Sequence, residues 1–305
     1  MHARSVWPEH VADGMRVRAL RAHRHRCTFD VSFGAGGHAR RLIAKVYDKD
    51  RSDVFAVMDA VVRAGFGPTA KFGIPRPLAY LDSAHVFLQE WIPGTEAIEV
   101  FLGDAVAPQL EAARRCGSWL GQFHAMASPW GRAFDPGRTG FAIQYWAQRI
   151  RDAGERFADK ADLLRRNLEA AAPAAFREFE PRAGHGTYMA EHVILSGDRT
   201  VSIDLDEYCV ADPAQDLGWF IVSLERLGLE KRGSLRAFDR VVSEFLRGYA
   251  PLGPKAGLSH LPFYKAVTCL LEAHEDLYRR LPPLPDWSEA MLEEGIDSLG
   301  QDPAD

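Results

Sequence analysis

The sequence lacks paired cysteines, long apolar runs and a marked excess of either charge. Its four cysteines are isolated, without a C-x-x-C pair, at positions 27, 116, 209 and 269. This spacing argues against a disulfide framework or a zinc site and favours reduced thiols in the cytoplasm. No run of 18 apolar residues is present, so we expect no membrane span. The opening stretch MHARSVWPEH has no apolar core, and we do not expect it to be a signal peptide.

The balance of charge limits the classes of partner. The chain has 37 basic and 42 acidic residues and a net charge of −5, without the basic excess that indicates nucleic-acid binding. Its 305 residues, 47% hydrophobic and 26% charged, are enough for one large folded domain or two lobes with a substantial core. We therefore expect neither nucleic acid nor a membrane as a partner, and the oligomeric state stays open.

The first third of the chain has the pattern of β-strands. Residues 27–33 alternate and are rich in β-formers, residues 34–37 supply a glycine-rich turn, and residues 41–47 form a second strand. This arrangement predicts a hairpin. A helix is predicted over about residues 53–64, where apolar residues recur at the helical period.

Beyond the stretch IPGT at residues 92–95 the pattern becomes mainly helical, which predicts a boundary between lobe 1–93 and lobe 94–305. A short hairpin is predicted around residues 193–203. The helices are predicted at about residues 106–126, 141–171, 213–228, 234–249, 258–280 and 287–299. Together these elements indicate an α+β fold with a small β-rich lobe and a larger, mainly helical lobe. A cleft between such lobes suits a nucleotide or another small molecule.

Three motifs in this order resemble those of one enzyme family. They are GHGTYMAEHVIL at residues 184–195, IDLD at 203–206 and ADPAQDL at 211–217. Over about residues 20–220 the chain is similar to aminoglycoside phosphotransferases and choline kinase-like proteins, which are relatives of the protein kinases. The resemblance implies a two-lobed protein-kinase-like fold. It also implies transfer of a phosphoryl group from ATP, with Mg²⁺ or Mn²⁺, to a hydroxyl or amine of a small-molecule substrate.

The resemblance assigns roles to the acidic residues after the catalytic loop. Asp204 stands where the family has the metal-binding Asp that follows a short hairpin. Asp206 lies two residues further, on the same face of an extended backbone, and is a second metal ligand, a base or a solvated loop acid. Asp216 corresponds to the Asp that braces the loop by hydrogen bonds. Asp212, before a proline, is expected to cap the next helix.

Other residues correspond to the nucleotide-binding set of the family. Lys45, inside the strand LIAKVY, is similar to the lysine that contacts the α- and β-phosphates, with the solvent face of the strand as the alternative. Asp59 is the candidate acidic partner of Lys45 on the following helix. Glu90 and Trp91 resemble the hinge, whose backbone accepts the edge of adenine.

Two catalytic positions depart from the family pattern. His185 keeps the start of the loop, but Thr187 replaces the catalytic Asp, and a hydroxyl is no base near neutral pH. Loss of a positioned base typically costs about 10²- to 10⁴-fold in rate. His192 replaces the metal-binding Asn, and imidazole suits transition metals better than Mg²⁺. A loop histidine bonded to backbone is the alternative for His192.

The loop expected to cover the phosphates is also changed, because residues 21–26 read RAHRHR without a glycine. Its arginines either hold an anion or form a solvated strand edge. Similarly, the acids around residues 272–276 either receive a cationic substrate or form an ordinary helix face. Three functions stay open: a phosphotransferase that uses Asp206 in place of the missing base, a pseudokinase that only binds, and a nucleotidyl transferase.

Overall fold

The computed structural model of the chain describes residues 10–12, 14–34, 40–177 and 181–300. The N-terminal lobe contains a sheet of strand order β1-β2-β3-β4-β7-β6, in which all neighbours are antiparallel. Its strands are β1 His10–Ala12, β2 Met15–Ala22, β3 Arg26–Phe33, β4 Arg40–Tyr47, β6 Pro77–Leu81 and β7 Val86–Glu90. Helix α1, Ser52–Val61, packs beside this sheet and continues into a π-helical turn at Val62–Phe66.

The remainder of the chain is mainly helical. Its helices are α2 Ala97–Leu102, α3 Val106–Met126, α4 Pro136–Asp152, α5 Glu155–Arg177, α6 Pro213–Arg232, α7 Asp239–Tyr249, α8 Ala256–Ser259, α9 Leu261–Tyr278 and α10 Pro285–Gly300. Two small sheets have the orders β10-β13-β9 and β5-β12-β11-β8. Their strands are β5 Phe72–Gly73, β8 Thr95–Glu96, β9 Arg132–Ala133, β10 Arg182–Gly184, β11 Val193–Ser196, β12 Arg199–Ser202 and β13 Cys209–Ala211. None of the helices in these described ranges is long and apolar enough to cross a membrane.

Most of the predicted elements are confirmed, including the β3–β4 hairpin, although the centre of its glycine-rich turn lies outside the described residues. The hairpin β11–β12 also forms as predicted. The single helix predicted over residues 141–171 is wrong, because the chain forms two helices that pack against each other. Gly154 between them has φ of +148°, a conformation that ends a helix and that other residues rarely adopt.

The hairpin β11–β12 is held by strands from both sides of the lobe boundary. Strand β8 pairs antiparallel with β11, and β5 pairs parallel with β12. Helix α3 supports the segment before this hairpin, since the buried Tyr188 hydroxyl donates to the Cys116 carbonyl at 2.9 Å and its ring stacks on Trp119. Pairing and packing therefore fix the hairpin and its preceding loop relative to the N-terminal sheet.

Candidate active site

Two carboxylates and two cations meet where the N-terminal sheet faces the turn after β12. Lys45 lies in the middle of β4, and only 4% of its side chain is exposed. Its ammonium donates to Asp204 Oδ1 at 2.7 Å and to Asp206 Oδ1 at 2.6 Å. Arg26, the first residue of β3, donates to both carboxylates as well. We call these four residues the charge cluster.

Arg26 binds Asp204 with two nitrogens, at 2.5 Å and 3.0 Å, and Asp206 with one of them. The Tyr47 hydroxyl donates to Asp206 Oδ2 at 3.0 Å, and Arg51 donates to the Asp206 carbonyl at 2.6 Å. Each of the four carboxylate oxygens therefore accepts at least one hydrogen bond. Such pairing offsets the cost of burying the charges.

An unusual backbone conformation brings the two carboxylates together. Asp204 has φ of +67° and ψ of +54°, in the left-handed region that Asp and Asn occupy more readily than other non-glycine residues. A 3₁₀ turn at Leu205–Glu207 follows and points Asp206 back towards Lys45. The carboxylates thus converge through a turn and not, as predicted, through an extended strand.

The electrostatics of the cluster keep Asp204 ionised. Burial alone would raise the pKa of Asp204, but the charges of Lys45 and Arg26 lower it well below its ordinary value. Burial, followed by the Asp206 charge, raises the pKa of Tyr47 well above its ordinary value, so this hydroxyl stays protonated and acts as a donor. Two positive and two negative side chains leave the cluster without net charge.

The catalytic loop is braced from below by Asp216 of α6. Its carboxylate accepts the backbone amides of His185 at 2.7 Å and Gly186 at 2.9 Å, and His124 of α3 lies 3.1 Å away. Burial would raise the pKa of Asp216, but the hydrogen bond and charge of His124 lower it. The bracing role expected for Asp216 is therefore present. Asp212 caps α6 as predicted, through the Ala214 amide at 2.8 Å.

His185 is completely buried under the loop, and its Nε2 donates to the Ile203 carbonyl at 3.0 Å. Its ring stacks on that of His192, with centroids 5.7 Å apart. Burial lowers the pKa of His185 to about 4, so the imidazole is neutral at physiological pH. This position links the loop to the strand that leads into Asp204.

His192 is buried and faces the charge cluster. Its Nδ1 donates to the Thr187 carbonyl at 2.8 Å. The alternative of a loop histidine bonded to backbone therefore holds for this nitrogen of the ring. Burial lowers the pKa of His192, and the neutral ring keeps a lone pair on Nε2. That atom lies 3.6 Å from Asp204 Oδ2. Thr187 itself is half-buried, with its backbone fixed by this bond.

The predicted pairing of Lys45 with Asp59 is wrong. Asp59 lies on the solvent side of α1, with 42% of its side chain exposed, and pairs with Arg63 one turn along the helix. Lys45 takes its acidic partners from the turn after β12 instead. The two residues predicted for the hinge lie at the end of strand β7. There the Glu90 amide donates to the Arg76 carbonyl at 2.9 Å.

Trp91 follows directly and stacks under the Arg41 guanidinium, which lies 4.0 Å from its ring centre. The adenine-binding role of Glu90 and Trp91 stays a prediction. The segment RAHRHR contains the end of β2, the turn at residues 23–25 and the first residue of β3, and of its arginines Arg26 reaches the charge cluster.

Sequence reasoning missed two residues of the site, Tyr47 and Arg51, and included Arg26 only among the arginines of residues 21–26 expected either to hold an anion or to form a solvated strand edge. Tyr47 has a signal in the sequence, because it lies two residues after Lys45 and hence on the same face of β4. Arg26 is the cross-strand partner of Tyr47. Arg51 has no comparable signal, since it precedes a helix in an irregular segment.

Comparison with known proteins gives a family and a fold. The sequence model of the phosphotransferase enzyme family matches residues 19–257. No curated protein matches the chain. A solved choline/ethanolamine kinase family protein from Mesorhizobium loti is 15% identical and has a TM-score of 0.59, over 93% of this chain and 92% of that one.

Two further solved structures contain nucleotides. An aminoglycoside phosphotransferase with ADP bound is 13% identical, with a TM-score of 0.58 over 93% of this chain and 94% of that one. An amicoumacin kinase in complex with AMP-PNP, Ca²⁺ and Ami is 14% identical, with a TM-score of 0.61 over 93% of this chain and 87% of that one. These similarities confirm the two-lobed kinase-like fold expected from the sequence.

Burial of His185 predicts a pH-dependent stability. The unfolded state binds a proton near pH 6.5 and the folded state near pH 4, so stability is full above pH 6.5 and falls as pH decreases towards 4. The full shift corresponds to about 3 kcal/mol in the free energy of unfolding.

Urea denaturation at several pH values measures this dependence of stability on pH. His185→Gln should flatten the slope in this window, whereas the same change at His25, which is 63% exposed, should leave it nearly unchanged. An equal slope in wild type and His185→Gln would contradict the assignment.

Proposed function

The chain belongs to the phosphotransferase enzyme family, and from this we propose that it transfers the γ-phosphoryl group of ATP to a hydroxyl or amine of a small molecule. The observation that supports this best is the charge cluster, which joins a buried strand lysine to two aspartates between the lobes. Phosphoryl transfer depends mainly on positioning and on neutralising phosphate charge. A cluster that contains both cations and metal-binding oxygens supplies what such a reaction requires.

The residues present fit a nucleotide with a divalent ion. Mg²⁺ is commonly held by one or two carboxylates together with phosphate oxygens. Asp204 and Asp206 offer such a pair, and the lone pair of His192 Nε2 beside Asp204 adds a nitrogen that favours Mn²⁺. Within the described residues no group of three or more ligating side chains forms a complete metal site.

Binding then amounts to an exchange of partners. In the charge cluster, Lys45 and Arg26 neutralise the two carboxylates. With ATP bound, Lys45 and Arg26 would hold its phosphate oxygens, and Asp204 and Asp206 would hold a divalent ion that supplies charge neutralisation. Each cation and each carboxylate would thereby exchange one charged partner for another, which would keep the cost of opening the cluster low.

Arg26 replaces the backbone contacts of a glycine-rich loop in this proposal. It lies directly after the turn that contains no glycine, and its planar guanidinium can bind two phosphate oxygens at once. Its side chain is only 15% exposed, so it already lies inside the cleft. The basic segment therefore contributes one phosphate ligand, and the rest of that turn is exposed.

The missing base remains the main departure from the family. Asp206 is the predicted replacement, but both its oxygens accept bonds from Lys45, Arg26 or Tyr47, which suits an anchor for cations more than a free base. We propose that transfer proceeds slowly, through positioning and charge neutralisation alone. Thr187 and His192 favour one second candidate function, a nucleotide-binding module without transfer.

ATP with Mg²⁺ or Mn²⁺ should stabilise the protein. At about 100-fold excess over Kd a ligand adds about 2.7 kcal/mol, which for a chain of this size raises Tm by about 4 °C in a thermal-shift titration. Lys45→Met should remove most of this rise, because the phosphates lose a buried cation. Lys49 is an exposed lysine just beyond β4, and Lys49→Met serves as the matched control. This variant should keep the rise in Tm. Absence of a shift in wild type, or an equal shift in Lys45→Met, would contradict nucleotide binding at the charge cluster.

Restoring a carboxylate at position 187 should increase turnover. We expect Thr187→Asp to raise the rate of ATP hydrolysis, with water as the acceptor, by about 10²-fold, because a positioned base is regained. Thr187→Asn introduces a side chain of the same shape as Asp but without a base, and it should not raise the rate. Release of inorganic phosphate measures both. Equal rates in the two variants would show that the loop does not present this position to the phosphates.

A further inference from the structure

A cavity of about 420 Å³ opens beside the catalytic loop in the helical lobe. This volume lies within the range of small-molecule sites. Four aromatic residues contribute to its wall: Phe134, Trp146, Trp219 and Tyr264. The Tyr264 side chain is buried, and its hydroxyl has no partner of good hydrogen-bond geometry among the described residues. The cavity wall thus combines four aromatic side chains with aliphatic and polar ones.

Strand β13 connects the wall of the cavity with the residue that precedes the catalytic loop. Cys209 of β13 lines the cavity and pairs across the sheet with Gly184, the residue before His185. On its other side Cys209 pairs with Arg132, which also lines the cavity. Strand β13 begins three residues after Asp206. A ligand in the cavity therefore lies against the strands from which both the loop and the carboxylates extend.

The charges around the cavity are positive. Arg132 and Arg138 line it, and neither has a carboxylate partner within the described ranges. The acid among the lining residues is Asp135, which caps helix α4 by accepting the Gly137 amide at 2.9 Å and the Arg138 amide at 3.4 Å. Its charge is thus directed at the helix terminus, where it is stabilised by the helix dipole.

The acidic residues near the end of α9 do not offset this charge. Arg226 binds Asp276 with two hydrogen bonds, at 2.7 Å and 2.6 Å, and Asp276 is completely buried. The same guanidinium lies 3.0 Å from Glu272. Glu275 is 3.3 Å from Arg279. These acids are neutralised within the fold, so the interpretation of this helix as a receptor for a cationic substrate is not supported.

We propose that the cavity binds the acceptor and that the acceptor is a neutral or anionic alcohol with an aromatic or apolar body, not a polycation. This rests on the proposed phosphotransferase activity. A polycationic substrate requires carboxylates that are free to pair with its ammonium groups, and the wall offers arginines and aromatic rings instead. An aromatic alcohol matches the rings, and a carboxylate on it matches Arg132 and Arg138.

The transfer balances without a further reactant. The hydroxyl oxygen of the acceptor forms a bond to the γ-phosphorus of ATP. The bond from that phosphorus to the β–γ bridging oxygen breaks, and ADP leaves with the electron pair. The hydroxyl proton passes to water, since Thr187 does not accept it. The products are a phosphate monoester, ADP and a proton.

Three probes that share one ring and differ in charge test the preference: 4-hydroxyphenylacetate (anionic), tyrosol (neutral) and tyramine (cationic). Isothermal titration, with quenching of tryptophan fluorescence as a second readout, measures their Kd values. We expect the anion to bind about tenfold more tightly than the cation, with the neutral alcohol between them. Tightest binding of tyramine, or no binding of any probe, would overturn the inference.

Variants locate the binding. Arg138→Gln should weaken 4-hydroxyphenylacetate about fivefold and leave tyrosol unchanged, because the arginine contributes a charge pair only. Arg166→Gln, an exposed arginine on α5 outside the cavity, should change neither. Ala142→Phe, which fills the cavity from α4, should weaken all three probes. Equal effects of Arg138→Gln and Arg166→Gln would place the probes elsewhere and overturn the inference.

A transfer assay separates this inference from the proposed function. Phosphorylation of kanamycin, a polycationic aminoglycoside, in preference to tyrosol would overturn the substrate class while supporting phosphotransfer. Binding of the anionic probe that depends on Arg138, without ATP turnover by wild type or by Thr187→Asp, would instead support the chemistry of the cavity and overturn the proposed activity. Phosphorylated tyrosol, detected by mass spectrometry, would support both.

Discussion

The site depends on the neutralisation of two buried aspartates by two cations from another part of the chain. Asp204 and Asp206 lie within reach of the same guanidinium nitrogen, and like charges so close repel strongly in a medium of low dielectric constant. Lys45 and Arg26 make this arrangement possible. They come from adjacent strands of the N-terminal sheet, about 160 to 180 positions away in sequence. The charge cluster therefore joins the two lobes as well as forming the site.

Other features of the fold serve this contact. The left-handed backbone at Asp204 and the 3₁₀ turn after it direct both carboxylates at β4. Asp216 holds the backbone of the catalytic loop from below, and His185 connects that loop to the strand before Asp204. These supports are of the kind the family has. Positions 187 and 192 carry a hydroxyl and an imidazole, where the resemblance of the sequence to the family leads us to expect a carboxylate base and an amide.

Much of this was predictable because it depends on local patterns. Alternation identified strand β4 with Lys45 in it, and the Asp-Pro sequence identified the cap of α6. The order of three motifs located the catalytic loop and its brace. In contrast, the partner of Lys45 depends on which helix face turns towards the sheet, and Asp59 turns away from it. The role of Arg26 depends on a contact across 178 positions, which periodicity does not reveal.

Around the cavity, too, the residue types could be read from the sequence but their partners could not. The acids on α9 are visible in the sequence, but their ion pairs with Arg226 are not. Likewise, the sequence contains Asp135 but does not reveal that its carboxylate caps helix α4. The net charge that a cavity presents to a ligand depends on which of the nearby charged side chains form ion pairs or hydrogen bonds within the fold. For that reason the proposed preference for an uncharged or anionic acceptor is argued from the contacts of these residues and not from composition.

A double-mutant cycle between Lys45 and Asp204 tests the central claim most directly. Lys45→Met keeps the length of the side chain, and Asp204→Asn keeps a residue that tolerates the left-handed backbone. Urea denaturation of wild type, both single variants and the double variant gives the coupling between the two sites. We predict a coupling of about 2 kcal/mol, with the double variant less destabilised than the sum of the singles, because each single change leaves the cluster with one uncompensated charge and the double change restores its balance. Additive effects within error would contradict the claim that this pair holds the site together.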